Sequence, residues 1–264
     1  MKPAAELAPL ARDLRGIFCD IDDTLTHEGV LVPAAYAALE AAGKAGLRVV
    51  PVTGRPAGWA AVLAATWPVE AVVAENGAVS FRRWIARGRS FVGSNFWDGE
   101  EARAAARPRL DAIRADVLAQ VPRARLADDQ WLRLCDVAFD IGETQTLAPD
   151  EVADIRRRIA AGGARSTVST VHAHAFFGDF DKAKMAVRLA RELWNEDLDT
   201  IRDRYLFVGD SPNDQAGFAY FPVSAGVANV SRYAAELTPP PAYVATAPGG
   251  HGFAEIVSTI LAAR

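Results

Sequence analysis

Residues 18–25 read Phe-Cys-Asp-Ile-Asp-Asp-Thr-Leu, an apolar run that ends in two carboxylates, Asp20 and Asp22. Side chains alternate along a strand, so both carboxylates point the same way only if they lie on the strand or directly after it, at its carboxyl end. Neighbouring buried carboxylates raise each other's pKa unless a cation or many donors compensate. The segment alone leaves two alternatives open: a cation-binding strand end and an Asx-type turn in a surface loop.

The rest of the chain alternates short strand-like runs with helical stretches. The helical spacing of apolar residues is clearest over 182–194 and 252–261. This alternation predicts an α/β fold in which helices cover a Rossmann-like parallel sheet. The strand-like runs lie at 17–21, 49–53, 71–74, 206–209, 223–227 and 243–245.

Between about residues 81 and 180 the pattern changes to hairpin, long helix, strand, helix and strand. We therefore predict a core formed by 1–81 and 181–264, with an inserted α+β domain at 82–180. The long helix, 100–121, is expected to kink or break at Pro108. A single long strand is expected over 166–177.

Composition narrows the class of protein. The chain has 264 residues, of which 50% are hydrophobic, so it can bury a sizeable core and is not disordered. Its formal net charge of −4, without a basic stripe, argues against a nucleic-acid partner. Cys19 and Cys135 both lie in apolar runs and predict a reduced protein without disulfides. No stretch approaches the length of a membrane helix, so we expect a cytoplasmic protein without a membrane partner. Its oligomeric state is not predicted.

Four segments place polar residues where a predicted strand ends or a predicted helix begins. The first supplies Asp20 and Asp22. The second, Thr53-Gly54-Arg55, offers a hydroxyl and backbone amides to an anion. The third, Asp181-Lys182, supplies a cation that could neutralise a phosphate or hold a carboxylate. The fourth, Gly209-Asp210-Ser211-Pro212-Asn213-Asp214, places carboxylates and an amide on a tight turn suited to a partly hydrated magnesium ion.

In this order the four segments resemble the motifs of phosphatases of the haloacid dehalogenase superfamily. The insertion follows Glu75-Asn76-Gly77-Ala78, which resembles the subgroup with an α+β cap between the second and third motifs. Sucrose-phosphate, mannosylglycerate-phosphate and trehalose-phosphate phosphatases belong to that subgroup. The chain departs from the usual pattern at Ala183, where the family often has Gly, and in Gly209-Asp210-Ser211, which replaces Gly-Asp-Gly. Neither departure removes a functional atom.

The resemblance also implies roles for individual residues. Asp20 would be the nucleophile, and Asp22 would be the general acid and base. Lys182 would add positive charge, whereas its competitor Lys184 is expected to be a solvated helix residue. Phosphate would be contacted by Thr53, Gly54 and Asn213, and magnesium would be held by Asp20, Asp22 (through its main-chain carbonyl), Asp210 and Asp214.

The function that this resemblance implies is a magnesium-dependent phosphomonoesterase. Its substrate would be a small phosphorylated metabolite, with a sugar phosphate favoured, and it would act through an aspartyl-phosphate on Asp20. Two alternatives stay open: a phosphomutase on the same core, and a phospho-accepting signalling or binding module. The module is disfavoured because an inserted cap suits an enzyme that excludes bulk water.

The inserted domain offers weaker candidates for substrate contact. His172 and His174 share one face of the predicted strand, and Arg55 of the core could join them. We favour exposed or internally paired histidines over substrate contacts, and substrate contacts over a metal pair. Asp136 and Asp140 also share a face of a strand-like run, and solvent exposure is expected for both.

Overall fold

The computed structural model describes all 264 residues and has the predicted α/β architecture. The strands are β1 (Lys2–Pro3), β2 (Gly16–Cys19), β3 (Thr26–His27), β4 (Val30–Leu31), β5 (Arg48–Pro51), β6 (Val72–Ala74), β7 (Val79–Ala86), β8 (Arg89–Phe96), β9 (Asp136–Asp140), β10 (Arg165–Val168), β11 (His172–Phe176), β12 (Tyr205–Gly209), β13 (Ser224–Gly226) and β14 (Tyr243–Val244). The helices are α1 (Pro33–Lys44), α2 (Ala57–Thr66), α3 (Glu100–Gln120), α4 (Pro149–Ala161), α5 (Lys182–Trp194), α6 (Leu198–Arg204), α7 (Gln215–Tyr220) and α8 (Gly249–Ala262).

The central sheet has six parallel strands in the order β1-β14-β13-β12-β2-β5. Strand β2 lies between β12 and β5, and its Phe18 pairs with Phe207 on one side and Val50 on the other. All four residues of β2 are buried, as expected for a parallel sheet covered on both faces. The carboxyl ends of β12, β2 and β5 therefore meet at one edge of the sheet, where open α/β sheets bind ligands.

Alternate residues of β2 face two different cores. Ile17 and Cys19 pack in a cluster that includes residues of α1 and α8, whereas Phe18 packs with Met185 and Leu189 of α5. Burying a side chain such as Phe18 stabilises the fold by about 2 kcal/mol. This two-sided packing fixes the direction in which β2 delivers the residues that follow it.

A hairpin of β7 and β8 pairs with β6 to form a separate antiparallel sheet. This sheet packs on α2 and touches the central sheet through a parallel bridge between Val52 and Val73. Between β6 and β7, Gly77 has a φ of +112°, and a Cβ there would lie 2.3 Å from the carbonyl oxygen of Asp181. Only glycine permits this backbone conformation and this close contact between the two chain segments that border the insertion.

The insertion folds around a three-stranded antiparallel sheet in the order β10-β11-β9, covered by α3 and α4. The single strand predicted over 166–177 is wrong, because the chain reverses between β10 and β11. The hydroxyl oxygen of Ser169 closes that turn by accepting from the N–H groups of Val171 and His172.

Helix α3 continues through Pro108, so the predicted kink or break does not end the helix there. Pro108 is exposed, and the next turns are held by the buried side chains of Leu110, Ile113 and Val117. Among all the helices, none combines the length and apolar character that crossing a membrane requires.

Candidate active site

Asp20 stands at the carboxyl end of β2, and its N–H donates to the carbonyl of Val208 at 2.9 Å, which extends the ladder beyond the strand. Lys182, the first residue of α5, reaches it from the side: its Nζ lies 2.7 Å from Asp20 Oδ1 and 2.7 Å from Asp214 Oδ1. All three side chains are buried. Lys184 points outward and pairs with exposed Asp179.

Three buried carboxylates converge at this edge. Asp20, Asp210 and Asp214 each offer an oxygen, and these oxygens all lie within 4.8 Å of one another. Asp214 is held by the N–H groups of Asp210, at 3.0 Å, and Ser211, at 3.3 Å. Asp210 accepts from Thr24 Oγ1 at 3.3 Å. The turn after β12 therefore holds Asp210 and Asp214 opposite Asp20, which follows β2.

The charges in this cluster do not balance. Burial raises the pKa of Asp20 to about 8 even though Lys182 opposes the shift, and burial together with Asp20 raises the pKa of Asp210. Burial alone would lower the pKa of Lys182, but the charges of Asp20 and Asp214 raise it overall. One ammonium thus faces three carboxylates. A hard divalent cation prefers such an all-oxygen set, so the residues present fit magnesium.

Asp22 lies apart from the three converging carboxylates and contacts Arg55. The Arg55 Nε lies 2.9 and 3.0 Å from the two carboxylate oxygens of Asp22, and one Nη lies 2.7 Å from Oδ1. The other Nη of Arg55 reaches two residues of the insertion, Glu143 at 2.8 Å and Asp129 at 3.5 Å. Arg55 therefore links the candidate general acid to the insertion.

The loop after β5 presents groups suited to phosphate. Thr53 is buried, and its Oγ1 accepts from the Arg55 N–H at 3.0 Å, which leaves the hydroxyl hydrogen free to donate. The N–H of Gly54 has no acceptor within the protein. Asn213, on the turn after β12, accepts from Ser211 through Oδ1 at 2.9 Å and keeps its NH2 group available.

Arg133 of the insertion also contacts the loop that follows β5. Its side chain is 0% exposed and donates to Gly54 O at 2.9 Å, to Asp129 at 3.1 Å and to both oxygens of Asp136 at 3.2 Å. The expectation that Asp136 is solvent-exposed is therefore wrong. Its position on β9 faces the core domain, and Arg133 supplies the charge that its burial requires.

A second buried acid fastens the same segment to the core. Glu75 has a φ of +49° and accepts from four backbone N–H groups: those of Ala57 in the core, at 3.0 Å, and of Leu134, Cys135 and Asp136, at 2.8, 2.6 and 3.1 Å. These links were not predicted, because nothing in the sequence pairs Glu75 with a segment about sixty residues later.

Asp140 is also buried, contrary to expectation. It accepts from the N–H groups of Gly142 and Glu143 and so shapes the turn that carries Glu143 to Arg55. Sequence reasoning missed Glu143, and it also missed Asn229, whose Nδ2 lies 3.4 Å from Asp210 Oδ2. Asn229 follows the predicted strand at 223–227, and its place at that sheet edge could have indicated it. Glu143 lies in a turn of the insertion, and no pattern in the sequence indicates its contact with Arg55.

His172 and His174 are internally paired and not exposed. His174 Nδ1 lies 2.8 Å from Asp136 Oδ2, and His172 Nε2 lies 2.9 Å from Glu143 Oε2. Burial lowers the pKa of His174 to about 4, although Asp136 favours its charged form. Both rings line a small cavity of about 10 Å³, together with Asp20, Asp22, Gly54 and Arg55. The structure thus brings the candidate residues of the insertion and of the core into one site.

Comparisons with known proteins agree with this geometry. Residues 17–84 match the family model of haloacid dehalogenase-like hydrolases. The matched segment includes Asp20, Asp22 and the loop at 53–55, so this part of the chain is similar to that family. The predicted fold class is confirmed, and the match over 17–84 agrees with the predicted superfamily and enzyme type. A comparison with curated proteins gives no significant match.

Solved structures share the fold over nearly the whole chain. A protein of Thermoplasma acidophilum has a TM-score of 0.71 at 21% identity, with 94% of this chain and 98% of that chain covered. The sucrose-phosphatase of Synechocystis, in complex with sucrose and phosphate, has a TM-score of 0.64 at 13% identity, covering 94% and 98%. The C-terminal domain of trehalose-6-phosphate phosphatase from C. albicans has a TM-score of 0.65 at 12% identity, covering 99% and 98%. At these identities the likeness concerns the fold.

Proposed function

We propose that the protein is a magnesium-dependent phosphomonoesterase of a small phosphorylated metabolite, with a sugar phosphate as the favoured class. The observation that carries the proposal is the convergence of Asp20, Lys182, Asp210 and Asp214 at one sheet edge, beside Asp22 and the loop at 53–55. The two sugar-phosphate phosphatases that share the fold support the substrate class.

In the first step, an Asp20 carboxylate oxygen attacks phosphorus, and the bond from phosphorus to the leaving alkoxide oxygen breaks. Lys182 holds Asp20 Oδ1, which orients the other oxygen. Asp22 gives its proton to the alkoxide, and the alcohol leaves. The product is an aspartyl-phosphate on Asp20.

In the second step, Asp22 takes a proton from water, the water oxygen attacks phosphorus, and the bond from phosphorus to Asp20 breaks. Both oxygens of Asp22 contact Arg55, so one of these contacts must loosen for each proton transfer. The Thr53 hydroxyl and the Gly54 N–H stabilise the phosphoryl oxygens, whose charge is spread in the transition state.

Magnesium, when bound, would neutralise phosphoryl charge and would be held by Asp20, Asp210, Asp214 and the Asp22 main-chain carbonyl. The cap, 82–180, closes the site. The cavity of about 10 Å³ holds at most about one water molecule, so substrate entry requires the cap to move away from the core.

The test is hydrolysis of p-nitrophenyl phosphate by the purified protein, with magnesium and then with excess EDTA. We expect activity that depends on magnesium and that Asp20→Asn lowers by at least about a thousandfold. Asp13→Asn, at an exposed carboxylate without a partner, is the matched control. Activity of Asp20→Asn near that of the wild type would refute the nucleophile assignment. Assaying free phosphate against isomerised sugar phosphate distinguishes hydrolysis from mutase activity.

A further inference from the structure

Three buried polar atoms without hydrogen-bond partners converge beside Gly54. They are Nε2 of His174 and both side-chain polar atoms of Asn76. A Cβ on Gly54 would lie 3.3 Å from His174 Nε2 and 3.1 and 3.3 Å from the Asn76 Oδ1 and Nδ2. His174 is 1% exposed and Asn76 4%. Buried polar groups in folded proteins are nearly always paired, so these atoms are available to a ligand of the site.

The contacts of His174 determine what Nε2 can offer. Asp136 accepts from Arg133 through both oxygens, and the same carboxylate lies 2.8 Å from His174 Nδ1. A carboxylate ion only accepts hydrogen bonds, so Nδ1 carries the ring hydrogen and Nε2 presents a lone pair. Because burial lowers the pKa of His174 to about 4, the ring is neutral near pH 7. Nε2 is therefore a fixed acceptor.

A hydroxyl group fits this combination, since it can donate to His174 Nε2 while accepting from Asn76 Nδ2. A carboxylate or a second phosphate has no hydrogen to give to Nε2 when ionised. The nearby cations already form ion pairs within the protein: Arg55 pairs with three carboxylates and Lys182 with two. A second anion at this position would be buried without compensation, which is costly.

We propose that His174 and Asn76 form a hydroxyl-binding subsite, which selects phosphate monoesters whose leaving group carries a neutral hydroxyl over those with a second anionic group there. His174 and Gly54 line the cavity that also contains Asp20 and Asp22, and the side chain of Asn76 lies beside Gly54. The proposal rests on the phosphomonoesterase activity proposed above and specifies the substrate class of that same site.

The test compares kcat/KM for three esters of equal chain length: glycerol 1-phosphate, n-propyl phosphate and 3-phosphoglycerate. We expect the wild type to prefer glycerol 1-phosphate to propyl phosphate by at least about tenfold, as for a site that binds a hydroxyl directly. It should also prefer glycerol 1-phosphate to 3-phosphoglycerate. Equal rates for the first two esters, or faster turnover of 3-phosphoglycerate, would overturn the proposal.

Variants separate binding of the hydroxyl from a structural role. His174→Asn keeps a donor near the position of Nδ1 and removes Nε2, whereas His174→Gln places an amide near Nε2. We expect the glycerol-to-propyl ratio to fall to within about twofold of unity in His174→Asn and to be partly retained in His174→Gln. Asn76→Asp, which removes the donor, should also lower the ratio. His251→Asn, at an exposed histidine, is the matched control.

The ratio of kcat/KM for glycerol 1-phosphate to that for propyl phosphate is informative because a purely structural defect lowers both values together. An unchanged ratio in His174→Asn and in Asn76→Asp would therefore refute the subsite. If the wild type hydrolyses p-nitrophenyl phosphate but shows no glycerol-to-propyl preference, only this proposal fails. If it releases phosphate from none of these esters, the phosphomonoesterase assignment fails as well.

Discussion

Replacing Arg133 with methionine removes the buried guanidinium that joins Asp129, Asp136 and the Gly54 carbonyl, while it keeps an unbranched apolar side chain. Both Arg133 and Asp136 have side chains that are 0% exposed. Without the guanidinium, the carboxylate of Asp136 keeps only the ring of His174 as a side-chain partner, and the Gly54 carbonyl loses its donor.

The expected cost follows from these contacts. Removing one member of a buried ion pair costs about 3–5 kcal/mol, and one orphaned carbonyl adds about 1 kcal/mol. We therefore expect Arg133→Met to lower the free energy of unfolding by about 4–6 kcal/mol. With an m-value of about 3 kcal/mol/M, the urea midpoint should fall by about 1.3–2 M.

The assay is urea unfolding at pH 7, followed by circular dichroism. Arg157→Met, at a side chain that is 73% exposed, is the matched control and should change stability by less than about 0.5 kcal/mol. Adding Asp136→Asn to Arg133→Met removes the orphaned charge, so the double variant should be less destabilised than the sum of the single variants by about 1–3 kcal/mol. A shift no larger than that of Arg157→Met, or strict additivity, would refute the reasoning.

Three further perturbations test the site. The pKa of His174 is lowered to about 4, so the unfolded chain binds a proton below its ordinary pKa of about 6.5 that the folded chain does not. The resulting contribution of His174 to the free energy of unfolding should be fully present above pH 6.5. It should fall by up to about 3 kcal/mol as the pH decreases to 4. Thermal melts should show a smaller fall in His174→Gln, and equal pH dependence would contradict this. Lys182→Met leaves Asp20 and Asp214 without their shared ammonium, so kcat for p-nitrophenyl phosphate should fall at least about a hundredfold; a change below fivefold would argue against the role. Glu143→Gln weakens the ion pair that links Arg55 to the cap. KM should therefore rise by roughly three- to tenfold, with a smaller change in kcat. An unaltered KM would exclude a role of Glu143 in closing the cap.

The core could be predicted because its signals are local. The apolar run of β2 is buried on both faces, and the polar residues that follow β2, β5 and β12 necessarily meet at one edge of a parallel sheet. Asp20 and Asp210 therefore approach each other whatever the intervening chain does. A contact that follows from sheet topology alone needs no knowledge of side-chain packing.

The cap contacts could not be predicted in the same way. Alternation along β9 indicated that Asp136 and Asp140 share a face, but exposed and domain-facing strands have the same alternation. Burial of that face depends on two contacts between distant parts of the chain: Glu75 accepts from the Leu134 N–H, and Arg133 donates to the Gly54 carbonyl. The turn between β10 and β11 was hidden for a different reason: Ser169 and Thr170 interrupt a run that is otherwise rich in strand-forming residues.

The bond from Arg133 to the Gly54 carbonyl has a consequence for engineering. Exchanging caps between related enzymes assumes that the recipient core is complete without its own cap. In this protein the segment at 133–136 supplies the donor that holds the phosphate loop, and Glu75 of the core accepts from the backbone of the same segment. A chimera designed to change specificity should therefore retain 133–136 with the core and graft only the remainder of the cap.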